Sequence, residues 1–146
     1  MSDNSKNFPL MHLLEKGVGT VIKNGPEPMT YDNLRSMVLR IGKQLGSINI
    51  KPGDAVGIVT PNGPEAATIF ISIASYATAA PLNPAYTKEE FKFYLQDLDA
   101  KILIVLENDP TEAVSAAKEL AIKVVKIRPQ KVSGDIILTC DGAVLK

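Results

Sequence analysis

Residues 78–98 have the sequence TAAPLNPAYTKEEFKFYLQDL, and this stretch decides the fold class. Its small and apolar first residues, 78–82, predict a strand, which a loop containing Asn83 and Pro84 ends. Thr87 is followed three residues later by Glu90, the spacing of a capping box, so a helix is predicted over residues 87–98. A strand, a proline-shaped loop and a capped helix in one stretch indicate a βα unit.

The same alternation continues on both sides of this unit. Strands are predicted at residues 55–59, 102–105 and 123–127, where short apolar runs are bounded by turn residues. A helix is predicted at residues 65–76, capped by Asn62 or Gly63 with Pro64 in its first turn. Another is predicted after Asp109, with Asp109 as the cap and Pro110 in the first turn. This order favours parallel pairing through right-handed crossovers. We therefore expect an α/β fold: a three-layer open, mostly parallel sheet with helices on both faces.

The amino-terminal part of the chain adds a short helix at residues 8–16 and a strand at residues 17–23. A longer helix over residues 31–45, capped by Thr30 and ended by Gly46, is predicted by apolar residues at helical spacing, namely Leu34, Val38, Ile41 and Leu45. We expect one domain over residues 1–146. Its core covers about residues 17–127, and residues 128–146 form a connection and a final short strand at 136–138.

Composition excludes several classes of protein. Lys and Arg together number 16, as do Asp and Glu, so no basic excess favours a nucleic-acid partner. The single cysteine, Cys140, excludes an internal disulfide and a cysteine-based zinc site, and it suits the cytoplasm. The first ten residues are too polar for a signal peptide. The apolar run at residues 66–80 is shorter than the roughly 20 residues that span a bilayer.

Candidate site residues follow from the predicted topology. Open α/β sheets bind ligands beyond the carboxyl ends of their strands, which here are the loops at residues 60–63, 83–86 and 106–109. Asn62, Asn83 and Tyr86 are their best-placed polar side chains. The simpler interpretation, which we prefer, is that the asparagines cap a helix or fix a turn.

No catalytic, cofactor-binding or metal-binding residue is predicted. His12 is the sole histidine and has no nucleophile near it in sequence, and Cys140 has no partner that would activate it. Adjacent carboxylates such as Glu89 and Glu90 are more typical of a solvated helix face. A phosphate loop needs several glycine N–H groups converging on an anion, and the sequence has no such motif.

Three blocks resemble a known family when they are taken together and in order. They are MTYDNL at residues 29–34, IKPGDAVGIVTPNGPE at residues 50–65 and ATAAPLNPAYTKEEFKFYLQDLDAKILIV at residues 77–105. They resemble the amino-terminal part of the AMP-forming acyl-CoA synthetases, the adenylate-forming ligase superfamily. The segment NPAYTKEEFKFYL at residues 83–95 is most similar to oxalyl-CoA synthetase and the 4-coumarate–CoA ligase-like enzymes.

The resemblance implies an acid–thiol ligase that uses ATP, Mg²⁺ and coenzyme A. Such an enzyme converts a carboxylate, here an oxalate-like small acid, to an acyl-adenylate and then to the CoA thioester. In the family a TSGTTG-type loop that comes later holds the ATP phosphates, and these 146 residues do not contain it. The resemblance therefore predicts a truncated amino-terminal subdomain, inactive by itself, for which no cofactor is expected alone.

Two other interpretations stay open at this point. The first is a non-catalytic α/β interaction module that self-associates through the unfinished edge of the sheet, helped by a net charge of zero. The second is a free-standing flavodoxin-like or receiver-like domain. That alternative is weakened because the chain lacks a run of acidic residues at strand ends and a flavin phosphate loop.

Overall fold

The computed structural model describes residues 9–146, without the side chains of Pro9, His12 and Leu13. The first eight residues, and the predictions made for them and for the His12 side chain, lie outside that description. The helices of the described chain are α1 (Pro9–Glu15), α2 (Tyr31–Ser47), α3 (Pro64–Ala74), α4 (Lys88–Asp97) and α5 (Glu112–Glu119). Its strands are β1 (Thr20–Ile22), β2 (Met29–Thr30), β3 (Ala55–Val59), β4 (Thr78–Pro81), β5 (Ile102–Leu106), β6 (Lys123–Pro129), β7 (Ile136–Cys140) and β8 (Ala143–Val144).

The main sheet has the strand order β4-β3-β5-β6-β7-β8. Its first four strands are parallel, and the last two add antiparallel pairs at one side. Strands β1 and β2 form a separate antiparallel pair. The predicted α/β fold with a mostly parallel sheet is confirmed, with an antiparallel hairpin beside the parallel part.

Helices cover both faces of this sheet. Helices α2 and α3 share a buried cluster with Ile102 and Ile104 of β5, whereas α4 and α5 share another with Leu103 and Val105 of the same strand. Successive residues of a strand point to opposite faces, so a continuous apolar run such as β5 serves both layers. The three-layer arrangement follows from this alternation.

The buried core extends further along the chain than residue 127. Ile136 and Leu138 of β7 are fully buried and belong to the cluster under α2 and α3. Strand β7 pairs with β6 over four residues, beginning at Ile136 opposite Pro129. The short strand predicted at residues 136–138 is therefore present as part of β7, and it belongs to the buried core that was expected to end near residue 127.

Two helix starts were predicted correctly, with Thr30 as a cap and Thr87 as the first residue of a capping box; the structure has a capping box at both. The Thr30 side chain accepts the N–H of Asn33, and the Thr87 side chain accepts that of Glu90. In both boxes the third helical residue accepts the N–H of the threonine in return. These bonds join residues three apart, so the sequence alone carries the signal.

Two helix boundaries were predicted wrongly. Thr111 caps α5, because its side chain accepts the N–H of Ala113 at 3.1 Å, and so Asp109 is not the cap. Helix α2 continues through Gly46 to Ser47, and the left-handed residue after its end is Asn49, with φ 65°. Asparagine tolerates this conformation better than most residues and can replace the expected glycine.

Pro81 protects the outer edge of β4. The Thr78 N–H donates to Asp54 O at 2.9 Å, so the backbone N–H and C=O groups of Thr78 and of every second residue after it point toward β3. Ala79 and Pro81 therefore face outward, and proline has no N–H to offer a further strand. Pro81 therefore lies at the outer edge of the sheet, and within β4 only Ala79 presents an N–H on that side.

Candidate functional site

A cleft of about 750 Å³ opens at the carboxyl ends of β3 and β4, beside the first turns of α3. This is the edge at which an open α/β sheet places its ligands. None of its lining residues is charged. They are Ile58, Thr60, Asn62, Gly63, Ala66, Ala67, Phe70, Pro81, Leu82, Asn83 and Pro84.

Asn62 lies on the first loop of this cleft and is exposed. It does not cap α3, because the cap residue is Gly63, which makes no side-chain cap bond. Pro64 occupies the first turn, where its missing N–H costs nothing. The helical start therefore depends on backbone geometry here, and of the two caps that the sequence allowed, Asn62 and Gly63, the structure has Gly63.

Asn83 lies on the second loop of the cleft and fixes the turn there. Its Oδ1 accepts the N–H of Ala85 at 2.9 Å, and its carbonyl accepts the N–H of Tyr86 at 3.1 Å. Asparagine favours this local turn because its side chain mimics a backbone carbonyl. The structural interpretation of Asn83 is confirmed, and its side chain still lines the cleft.

Tyr86 does not line the cleft. Its ring stacks on Tyr94 at a centroid distance of 5.0 Å and meets Phe91 edge-on at 5.7 Å, on the α4 side of the sheet. The side-chain hydrogen bond with Tyr94 is the main cause that raises the pKa of Tyr86. Tyr86 therefore packs the loop against α4.

The loop at residues 106–109 lies away from the cleft, because β5 and β4 flank β3 on opposite sides. Glu107 of that loop pairs with Arg128 through two contacts, at 3.1 and 3.2 Å. The hydrogen bond from Arg128 lowers the pKa of Glu107. Three loops were predicted to lie at one site. The structure brings two of them together at the cleft, those at residues 60–63 and 83–86.

Phe70 of α3 lines the cleft, and 43% of the residue is exposed. It was not predicted from the sequence as a site residue. The signal that could have found it is the composition of α3, which is apolar or small nearly all round. One side of such a helix stays uncovered when the sheet and α2 bury the others. The cleft is therefore a shaped, uncharged and partly apolar surface.

The described chain does not bring together side chains that could form a metal site. No three side chains from His, Cys, Asp and Glu in residues 9–146 lie close enough to bind a metal ion. Burial is the main cause that raises the pKa of the Cys140 thiol, which lies 3.6 Å from Val124 O. No helix in the same range is long and apolar enough to cross a membrane.

Comparison with known proteins identifies the family. The AMP-binding enzyme family matches residues 15–145. Oxalate–CoA ligase of Arabidopsis thaliana is 38% identical over 118 residues, which cover 80% of this chain and 23% of that protein. A probable CoA ligase of Humulus lupulus is 33% identical over 126 residues, covering 82% of this chain and 23% of that protein.

Solved structures show the same fold. MatB from Rhodopseudomonas palustris, without ligand, superposes with a TM-score of 0.71 at 20% identity, over 86% of this chain and 26% of that one. The anthranilate CoA ligase AuaEII, solved with anthranoyl-AMP, gives a TM-score of 0.67 at 22% identity, over 81% and 24%. The chain belongs to the AMP-binding enzyme family. It spans 23% of the length of the two plant relatives.

Proposed function

We propose that this chain forms the amino-terminal part of an ATP-dependent, AMP-forming acyl-CoA ligase. In this proposal the complete enzyme joins a small acid of the oxalate type to coenzyme A through an acyl-adenylate. The observation that carries it is the family match over residues 15–145, together with 38% identity to an oxalate–CoA ligase. The preference for oxalate rests on that relative.

The residues present do not fit ATP and Mg²⁺ by themselves. The cleft contains no lysine, arginine or carboxylate, and residues 9–146 offer no cluster that could ligate a metal. A phosphate cradle also needs converging glycine N–H groups, which the sequence lacks. We therefore derive no nucleotide-binding step for this chain, and we propose that alone it is inactive.

The role we propose for this region is positional. Asn83 and Pro84 shape one wall of the cleft, and the first turns of α3 form another. The first turns of α3 follow β3, which is buried from Val56 to Val59, and the Asn83–Pro84 loop follows β4, which pairs with β3. Residues placed at the ends of paired strands hold a site more precisely than free loops would. The reacting groups would come from the remaining part of the ligase.

Two proteins test this proposal. The isolated chain and a hybrid, in which residues 1–146 replace the aligned part of the Arabidopsis ligase, are assayed with oxalate, ATP and coenzyme A. We expect pyrophosphate release from the hybrid and only background release from the isolated chain. A hybrid that unfolds cooperatively but has no activity would contradict the proposed role, and activity of the isolated chain would contradict its inactivity.

A second candidate function is a non-catalytic interaction module, which the exposed Phe70 in the cleft favours. Pro81 opposes strand addition at the neighbouring edge, so contact through the cleft is the better route for self-association. Light scattering with size-exclusion chromatography tests it: a dimer that Phe70→Ser dissociates supports this candidate. A dilution-stable monomer counts against it.

The remaining predictions concern partners and location. A cytoplasmic location is proposed because a single cysteine suits a reducing compartment. The absence of a nucleic-acid partner stays a prediction from the balanced charge, 16 basic against 16 acidic residues. Retention on a heparin or DNA column at 0.15 M salt would contradict that prediction.

A further inference from the structure

The sequence contains Asn-Gly-Pro twice, at residues 24–26 and at residues 62–64. Asparagine is chemically labile, because its side-chain amide can be lost by reaction with the backbone nitrogen of the next residue. Glycine at that next position leaves the reaction unhindered, since it carries no side chain. The sequence alone makes the two sites equivalent, and the tertiary structure distinguishes them.

Asn62 and Gly63 are both exposed, and no hydrogen bond holds the atoms that would react. In the part of the chain that the structure describes, neither the Asn62 side chain nor the Gly63 N–H has a hydrogen-bond partner. The Gly63 backbone is extended, with φ 160° and ψ −177°, and its carbonyl accepts the Ala67 N–H at 3.3 Å. No hydrogen bond therefore has to break before the Gly63 nitrogen turns toward the Asn62 side chain.

Gly25 is closely packed, unlike Gly63. It has φ +114°, and a Cβ at this position would overlap Ser133 Oγ, so the backbone of Gly25 lies directly on that side chain. Ser133 is buried, and its N–H donates to the Glu27 carbonyl oxygen at 2.8 Å, which fixes the segment around Gly25 to the turn before β7. Reaction at Asn24 therefore requires a local opening of this contact.

We propose that Asn62 is a deamidation site, and that its modification gives the cleft a negative charge. The Gly63 nitrogen loses its proton to solvent and attacks Cγ of Asn62, forming a C–N bond while the side-chain nitrogen leaves as ammonia. Water then opens the resulting cyclic imide at either of its carbonyls and yields aspartate or isoaspartate. The reaction consumes only water, and it does not depend on the ligase role proposed above.

The new carboxylate would be the first charged group of the cleft, because none of the residues that line it is charged. Asn62 lies on one loop of the cleft and Asn83 on the other. Asn83 cannot react in the same way, because the next residue, Pro84, has no N–H to lose. Modification is thus confined to one wall of the cleft, and it lowers the formal net charge of +0 by one unit.

Peptide mass spectrometry of the isolated chain tests the proposal. The chain is incubated at about pH 8 and 37 °C, folded in buffer and unfolded in guanidinium chloride, and fragment masses assign each gain of about 1 Da to one asparagine. In the folded chain we expect Asn62 to convert at least about fivefold faster than Asn24, because the Asn24 site must first open locally. In the unfolded chain the two rates should agree within about twofold, since no tertiary contact then distinguishes them. Asn83 should stay unmodified in both states.

Gly63→Ala is the matched variant. A Cβ at Gly63 meets only Glu65 Oε2, at an ordinary 3.6 Å, so the variant should fold like the parent. Its methyl group should slow the conversion of Asn62 at least about fivefold, because it hinders ring closure. Equal rates at Asn62 and Asn24 in the folded parent, or an unchanged rate in a folded Gly63→Ala, would overturn the proposal. Conversion of Asn62 in the unfolded chain alone would overturn it as well, since the fold would then protect the site.

Discussion

The buried hydroxyl of Thr68 donates to the carbonyl oxygen of Gly134 at 2.5 Å, across 66 residues of sequence. It joins α3 to the turn that precedes β7. Gly134 is buried with φ +84°, and an added Cβ would lie 2.8 Å from Thr68 Cγ2 and 2.7 Å from Ile22 Cδ1. The turn before β7 is thus held against α3 by one hydrogen bond and by the close packing of the Gly134 backbone on the Thr68 side chain.

Removing the Thr68 hydroxyl should destabilise the fold. Thr68→Val keeps the shape of the side chain but leaves the Gly134 carbonyl without this donor, which costs about 1–3 kcal/mol. Thr78→Val is the matched control, because Thr78 makes a longer, exposed bond of 3.3 Å to Gly53 O. Urea unfolding measures both variants. Equal free energies of unfolding for Thr68→Val and Thr78→Val would show that the Thr68 bond stabilises the fold no more than the exposed Thr78 bond does.

Gly134→Ala should cost more than the same change at Gly142. Both glycines have a left-handed φ, +84° and +81°, so both substitutions carry the roughly 1–2 kcal/mol penalty of that conformation. A Cβ at Gly142 meets nothing within 4 Å, whereas one at Gly134 meets two side chains below 3.0 Å. The difference between their unfolding free energies isolates the close packing. A difference near zero would refute it.

Thr111, not Asp109, should control the stability of α5. Thr111→Ala removes the bond to the Ala113 N–H and should cost about 1 kcal/mol, the usual value of an N-cap. Asp109→Ala should change the unfolding free energy by less than half as much. Thermal unfolding by circular dichroism measures both. A larger loss of stability for Asp109→Ala than for Thr111→Ala would support Asp109 as the cap of α5, as predicted from the sequence.

Glu119 should contribute to acid sensitivity. Hydrogen bonds from Lys88 and Lys92 lower the pKa of Glu119 in the folded state. A carboxylate with a lowered folded pKa stabilises the fold above its unfolded pKa of about 4.3. That contribution is lost as the pH falls through the folded pKa.

We expect the stability of the parent to fall more steeply below about pH 4.3 than that of Glu119→Gln. Urea unfolding between pH 3 and 7 measures this slope. The group is exposed to solvent, so 1 M salt should reduce the difference between the two proteins. Parallel stability curves at low salt would contradict the prediction.

The order of elements could be predicted because its signals are local. Ala55–Val59 is a continuous apolar strand bounded by turn residues, and it lies where it was predicted. The Thr87 capping box spans the four residues from Thr87 to Glu90 and placed the start of α4. The end of α2 was harder, since both Gly46 and Asn49 could end a helix and the choice depended on how the last turn packs.

The candidate site was only partly predictable. Asn62 and Asn83 meet at one cleft because β3 and β4 are neighbours in the sheet. Tyr86 follows Asn83 closely in sequence yet lies against α4, because a turn separates them. Phe70 was missed because its exposure depends on which sides of α3 are covered, and that depends on the strand order.

The sequence by itself determined the alternation of strands and helices, two helix caps and the family. These features depend on residue types a few positions apart, where propensity and hydrogen bonding act locally. Only the tertiary structure decided the contacts of Thr68 with Gly134 and of Gln44 with Leu145, across 66 and 101 residues. Such contacts arise when strand order and register bring distant segments together, and no local pattern specifies that distance.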